Sequence, residues 1–204
     1  MLRWTRLLLL LSVFAFAGAE AQAISMVVSP VSTASLIVRA NKVHGYEFQV
    51  TQAISVTALG FWDSSQDGLG STHDVGLWLL DQTPLGSVTV PSGTAGTLDG
   101  DFRYASLGAA VVLSPGNTYV IGGTSGAVDT LLANTPPVLQ PIFTLVRQRS
   151  ASSPPLFFPT GSTGCCTTVS LQYTPVPEPS GAALLAVAAG IACIRPRRRW
   201  SSAG

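Results

Sequence analysis

Residues 63–74 carry the densest set of oxygen donors in the chain: Asp63-Ser64-Ser65-Gln66-Asp67-Gly68-Leu69-Gly70-Ser71-Thr72-His73-Asp74. Oxygen side chains stand at the first, third, fifth, ninth and twelfth places, with Gly68 at the sixth. That is the cadence of a twelve-residue calcium loop, in which roughly six to eight hard oxygens surround the ion. Asp63, Ser65, Asp67 and Asp74 would supply side chains and Leu69 a backbone carbonyl. The flanks read as strands rather than helices, and Asp74 is shorter than the bidentate Glu usual at the last place. A polar connection between strands needs the same residue types, with Asp and Ser capping N–H groups and Gly68 at positive φ.

Trp62 and Trp78 sit near the two ends of this loop. Facing outward on neighbouring strands, they would stack on a sugar ring; facing inward, they would be ordinary core aromatics. Together with the loop, this makes a calcium-dependent carbohydrate-binding module one expectation. Enzymatic chemistry finds less support. The two histidines, His44 and His73, lie far apart in sequence. The nearest approach to a nucleophile elbow, Gly123-Thr124-Ser125-Gly126-Ala127, is not followed by a helix. Neither a zinc-protease helix motif nor a paired C-x-x-C occurs. Asp99 with Asp101, or Asp63 with Asp74, would supply the two carboxyls of a glycosidase, but any acidic loop would do so. A secreted glycan-active enzyme is therefore a third expectation, behind a non-enzymatic reading. Adjacent Cys165 and Cys166 can form a vicinal bond, pair with another chain or stay free, and Cys193 lies in an apolar tail.

The elements that would carry these residues are strands. Apolar and polar residues alternate over 43–50, 53–62, 74–80, 85–90, 102–113, 118–122, 138–149 and 167–173, with Gly, Pro, Ser or Asp at the breaks. Phe48, Val50, Ile54, Val56, Ala58 and Phe61 supply the expected inward face. The expected fold is all-β, an antiparallel β-sandwich of jelly-roll type. Leu113 to Val120 reads as strand, Pro115-Gly116 turn, strand. Residues 131–141 and 150–164, rich in Pro, Ser, Gly and Thr, read as loops, the second the more mobile. The similar tetrapeptides Gly60-Phe61-Trp62-Asp63 and Gly76-Leu77-Trp78-Leu79 read as two strands of one hairpin.

Both ends differ from this middle. Arg3 and Arg6, an apolar run, and then Ala19, Ala21 and Ala23 form the three parts of a secretory signal over 1–23. Ala21-Gln22-Ala23 fits the cleavage site, with Ala19-Glu20-Ala21 as second choice. The other end runs Pro177-Glu178-Pro179, a charge-free apolar block over 181–194, then Arg197-Arg198-Arg199. Fourteen helical residues cover about 21 Å, short of the ~30 Å hydrocarbon core, and the arginines belong on the cytoplasmic side. This order closely resembles the PEP-CTERM sorting signal of Gram-negative bacteria. The resemblance implies a precursor held transiently in the inner membrane and processed by an exosortase, a protease-transpeptidase, often alongside exopolysaccharide. Pro196 and the tail from Trp200 to Gly204 depart from the usual pattern.

The stretch from Tyr46 to Ile121 has a second resemblance. Its skeleton includes Phe48-x-Val50, Asp67-Gly68-Leu69, His73-x-Val75-Gly76-Leu77-Trp78, Phe102-Arg103-Tyr104 and Leu113-x-Pro115-Gly116-x-x-Tyr119-Val120. It resembles an uncharacterised β-sandwich domain family of bacterial extracellular proteins, often seen with PEP-CTERM tails. The expected layout is thus a signal peptide at 1–23, an extracytoplasmic sandwich at 24–174, and a sorting signal with a single membrane helix at 175–204.

Charge sharpens this. The whole chain has 11 basic against 10 acidic residues and is only 10% charged, well below the quarter usual in soluble proteins. Between residues 24 and 179 the count is 5 basic and 9 acidic, near −4, which disfavours nucleic acid and anionic lipid as partners. The leading expectation is an exported, non-enzymatic surface or matrix protein. Its partners would be signal peptidase, exosortase and exopolysaccharide, with calcium the one cofactor to consider.

Overall fold

A computed structural model describes residues 22–28, 35–133, 136–152, 155–161 and 166–177. The expectations that concern residues 1–21, Glu178, Pro179, the 181–194 block and Arg197, Arg198 and Arg199 lie outside the described residues. Within them the chain is all-β, with thirteen strands. These are β1 (Ile24–Ser25), β2 (Ser35–Val38), β3 (Lys42–Val50), β4 (Ile54–Trp62), β5 (His73–Leu79), β6 (Pro84–Val90) and β7 (Thr97–Asp99). The remainder are β8 (Phe102–Leu113), β9 (Thr118–Ser125), β10 (Thr130–Ala133), β11 (Phe143–Ser152), β12 (Cys166–Thr167) and β13 (Val169–Pro175).

Every strand pairing is antiparallel. One five-stranded sheet has the order β1-β13-β4-β8-β7, and a second has the order β11-β3-β9-β5-β6. A small third sheet, β12-β10-β2, completes the set. The arrangement is β-sandwich-like, because the two large sheets share one core. Tyr46, Phe48, Val75, Leu77, Tyr119 and Ile121 of the second sheet pack with Ile54, Val56, Leu59, Phe61, Val169 and Leu171 of the first. Edge-to-face rings cross between them, with Phe143 and Tyr173 5.1 Å apart. The buried Tyr46 hydroxyl donates across the core to the Val169 carbonyl at 2.7 Å, which satisfies a group that would otherwise be costly to bury.

One irregularity decides which residues of β4 face the core. Register shifts in the β4–β8 ladder between Val56 and Ala58, and a bulge of this kind exchanges the two faces of a strand. Ile54 and Val56 therefore point inward before it, and Leu59 and Phe61 after it. Ala58, expected in that core, instead joins Trp62, Phe102, Tyr104, Val27 and Leu132 in a separate cluster. The same shift leaves residues 107–110 of β8 opposite Thr57 alone. Leu107 of this excursion reaches the second sheet, 3.0 Å from where a Cβ on Gly86 of β6 would stand.

The expected 115–116 turn is present, with Gly116 at φ 87°, the sign a type II corner requires. Tyr119 clamps it: its hydroxyl accepts from the Ser114 N–H at 2.8 Å and donates to the Ser114 carbonyl at 3.0 Å. Three expectations need correction. Strand β10 runs into the start of the stretch read as the loop 131–141. β4 and β5 belong to different sheets, so the two Trp-bearing tetrapeptides are not a hairpin. Residues 155–161, read within a mobile loop, include buried Phe158, packed on Trp78 and Val120.

Candidate functional site

The loop after β4 holds a cation, but the cation is a side chain. Asp63 is 3% exposed, and its Oδ2 accepts from Arg103 Nε at 2.6 Å and from the Gly68 N–H at 3.0 Å. The rest of the Arg103 guanidinium donates to the carbonyls of Gln66, Gly96 and Thr94 at 3.0, 3.2 and 3.3 Å. Arg103 stands on β8 beside Phe61 in the ladder, so the neighbouring strand inserts its guanidinium into the loop. Gly68, at φ 116°, turns the chain there as glycine readily does.

The other oxygens expected around calcium are not gathered. Leu69 pairs with Gly93 in both directions: its carbonyl accepts from the Gly93 N–H at 2.6 Å, and its N–H donates back at 3.1 Å. Asp74 lies on β5, where its Oδ1 accepts from Thr89 Oγ1 at 2.6 Å. Ser65 and Asp67 are exposed. No group of three or more His, Cys, Asp or Glu side chains suited to a metal exists among the described residues.

A second cluster sits beside this loop. Asp129 Oδ1 accepts from the Gly70 N–H at 2.7 Å, and Oδ2 from the Ser71 N–H at 3.1 Å and Ser71 Oγ at 2.8 Å. His73 Nε2 approaches the same Oδ2 at 3.0 Å. The His73 ring is fully buried and stacks on Phe61 at 3.6 Å, with planes 3° apart. Burial pushes the Asp129 carboxyl up, but the hydrogen bonds from Gly70 and Ser71 and the interaction with His73 more than offset this and hold it below its ordinary range.

Ser71, His73 and Asp129 are the residue types of a nucleophilic triad, yet their arrangement defeats that chemistry. In a working triad the serine and the acid use opposite ring nitrogens, so the acid orients the base. Here Ser71 and Asp129 both lie on Nε2, while Nδ1 stands 2.7 Å from the Thr124 carbonyl. A carbonyl only accepts, so Nδ1 carries a hydrogen. The Ser71 hydroxyl donates to the carboxylate rather than to the ring. The cluster fastens the loop to the segment before β10; it does not activate a nucleophile.

The tryptophans do not form a joint stacking surface. Trp62 lies in the first sheet and Trp78 in the second, and they are only 5% and 7% exposed. Trp62 meets Phe102 edge-on at 5.5 Å. Trp78 lies across Gly76, where a Cβ would come 2.5 Å from its ring, and Phe158 covers it at 6.1 Å. The covering segment is held by Arg149, which is nearly buried. Arg149 pairs with Glu47, donates to the Pro159 carbonyl at 3.0 Å and stands 5.0 Å from the Phe158 ring centre. Cys166, whose state the sequence left open, is disulfide-bonded.

Sequence reasoning missed Arg103, Ser71 and Asp129 as partners. Arg103 lies 40 positions from Asp63, and Asp129 56 positions from His73; no local spacing signals either pair. A hollow of about 250 Å³ separates the two clusters, lined by Asp63, Ser64, Ser65, Asp67 and Asp129 among others. Most of its carboxylate capacity is directed into the protein.

Residues 29–136 match the family described as a domain of unknown function, DUF4082. The chain belongs to that family. The matched stretch runs from before β2 to beyond β10 and so takes in both clusters. No curated protein matches the chain. The DUF4082 description states no activity, so the chemistry of the site comes from its residues.

Proposed function

We propose that this DUF4082 protein is an exported, non-enzymatic surface or matrix protein, sorted through its C-terminal signal and working outside the cell as a structural or exopolysaccharide-associated module. One observation carries the reading: Pro177-Glu178-Pro179, a charge-free block and Arg197-Arg198-Arg199 occur in that order. The block over 181–194 is the transient inner-membrane helix, and the clustered arginines keep their side in the cytoplasm. The precursor then faces the periplasm. Signal peptidase acts at the first end and an exosortase at the second.

Features of the fold support a structural role. The ionic groups of both clusters are spent on internal contacts, and the charge near −4 between 24 and 179 suits neither nucleic acid nor anionic lipid. The finer reading of the architecture is a jelly roll. The orders β1-β13-β4-β8 and β3-β9-β5-β6 are those of two interleaved four-stranded sheets of that type, with β7 and β11 added at the edges. The test is a Glu178→Ala/Pro179→Ala variant in the native host. The expected outcome is a precursor that is no longer processed and does not reach the surface; unchanged processing and delivery would overturn the proposal.

A further inference from the structure

A cavity of about 380 Å³ opens where the chain enters the fold, walled by Gln22, Ala23, Ile24 and Ser25 on one side and by Asp99 and Asp101 on the other. Ser25 Oγ already donates to Asp99 Oδ2 at 2.6 Å, and Gln172 Nε2 reaches the same oxygen at 2.9 Å. Asp101 receives Gln66 Nε2 on its Oδ1 at 2.8 Å. Gly100, at φ 58°, lets the chain double back between β7 and β8 so that both carboxyls flank the cavity. Among the described residues, no basic side chain lines it. Two tyrosines stand behind its wall without lining it: Tyr173, paired with Ile24 in the β1–β13 ladder, and Tyr104, whose hydroxyl donates to Ser25 Oγ at 3.0 Å. Burial raises both phenols above their ordinary range, Tyr104 to about 12, so both stay neutral at physiological pH.

The sequence places the first-choice leader cleavage between Ala23 and Ile24, in the wall of this cavity. Hydrolysis of that bond adds the oxygen of water to the Ala23 carbonyl carbon and leaves an amine on Ile24, which takes up a proton. We propose that the cavity is the docking site of the chain's own α-ammonium group, made by leader removal and held by Asp99 with Asp101. Ile24 precedes Ser25, whose side chain is already on Asp99, and adjacent Cα atoms are about 3.8 Å apart. The new cation therefore arises one residue from a side chain already bonded to Asp99, in a cavity that both carboxylates line. Departure of Gln22 and Ala23 opens the space it needs. Cleavage at the second-choice site leaves Gln22 first, another residue of the same wall. The precursor has a neutral peptide bond at this point, so β1 is pinned electrostatically only after processing. This inference rests on the export reading.

Amine chemistry tests it directly, because Lys42 is the sole lysine of the chain. The full chain, expressed in a host that exports it, is recovered and its first residue read by mass spectrometry. Rates of reductive methylation at the α-amine are then followed against pH, with Lys42 as internal reference. The expected result is a chain starting at Ile24 or Gln22 whose α-amine binds its proton about tenfold more tightly than an ordinary terminus near pH 8. Asp99→Asn, and to a smaller degree Asp101→Asn, should return it toward the ordinary value without unfolding the protein. A correctly cut chain whose amine titrates ordinarily and ignores both substitutions overturns the docking and leaves the export reading standing. A retained leader overturns both.

Discussion

His44 and His73 flank β9 in the same sheet, and their fates are opposite. Both are nearly or fully buried, on strands that pair with the same Gly123 region of β9. His73 has a partner on each nitrogen, the Thr124 carbonyl and the Asp129 carboxylate. Among the described residues, neither nitrogen of His44 has a hydrogen-bond partner. Desolvation, with Lys42 and Arg39 nearby, lowers its pKa to about 4. Burial alone thus makes an imidazole a neutral filler of the core, while a carboxylate beside it makes the ring a tie between segments distant in sequence. Asp129, by accepting from two loop N–H groups and lying 3.0 Å from the ring nitrogen, makes one histidine part of a framework.

Removing that carboxylate is the strongest way to break the contrast. Asp129→Ala leaves His73 without its charged partner and the N–H groups of Gly70 and Ser71 without their acceptor. Asp129 is half-buried, so leaving the groups it holds without an acceptor costs about 1–3 kcal/mol. A denaturant titration should show that loss, whereas His44→Leu at pH 7 should cost far less.

Acid gives an effect of opposite bias. His44 is lowered on folding from 6.5 to about 4, so the unfolded chain takes up its proton first as pH falls. Stability is therefore full above pH 6.5 and declines between 6.5 and 4, by about 2–3 kcal/mol. His44→Leu should flatten this window in urea midpoints measured across pH. The Asp129 contribution behaves differently: its carboxyl is lowered on folding, so its stabilisation is lost only below the ordinary carboxylate range. A decline between pH 6.5 and 4 that survives His44→Leu would place its origin elsewhere.

The smallest expected effect is none at all. Calcium or a chelator should leave the thermal midpoint unchanged, because Arg103 already occupies Asp63 and Gly93 already occupies Leu69. A calcium-dependent rise would mean that the guanidinium is displaced from the loop.

What could be read from the sequence follows the range of the interactions involved. Strand β8 and the Pro115-Gly116 corner are set by alternation and turn chemistry within a few residues, and both were legible. Strand β10 was not, since its four residues show little alternation and are stabilised by pairing with β2 and β12. The inward face of β4 was half legible: Ile54, Val56 and Phe61 were recognisable, but the bulge that moves Ala58 and Trp62 to another cluster left no local mark. Of the oxygen cadence over 63–74, only Asp63 among the expected ligands meets a cation, the Arg103 guanidinium. Arg103 comes from a neighbouring strand, and nothing in the loop itself names it. His73 stood out as one of two histidines, but its tie to Asp129 depends on tertiary folding.

The end of β13 sets a geometric limit on the sorting proposal. Pro175 is still paired with Ile54, and the Val176 N–H donates to the Ala53 carbonyl at 3.0 Å, so the sheet holds the chain almost to Pro177. An extended chain gains at most about 3.5 Å per residue, which leaves Glu178 and Pro179 on a leash of only two or three residues. On that proposal, any enzyme that engages the motif works against the flank of the folded sandwich or must first peel back the end of β13. On the same proposal, whatever the chain were joined to afterwards would inherit that short stem, and the sandwich would be carried close to its attachment point.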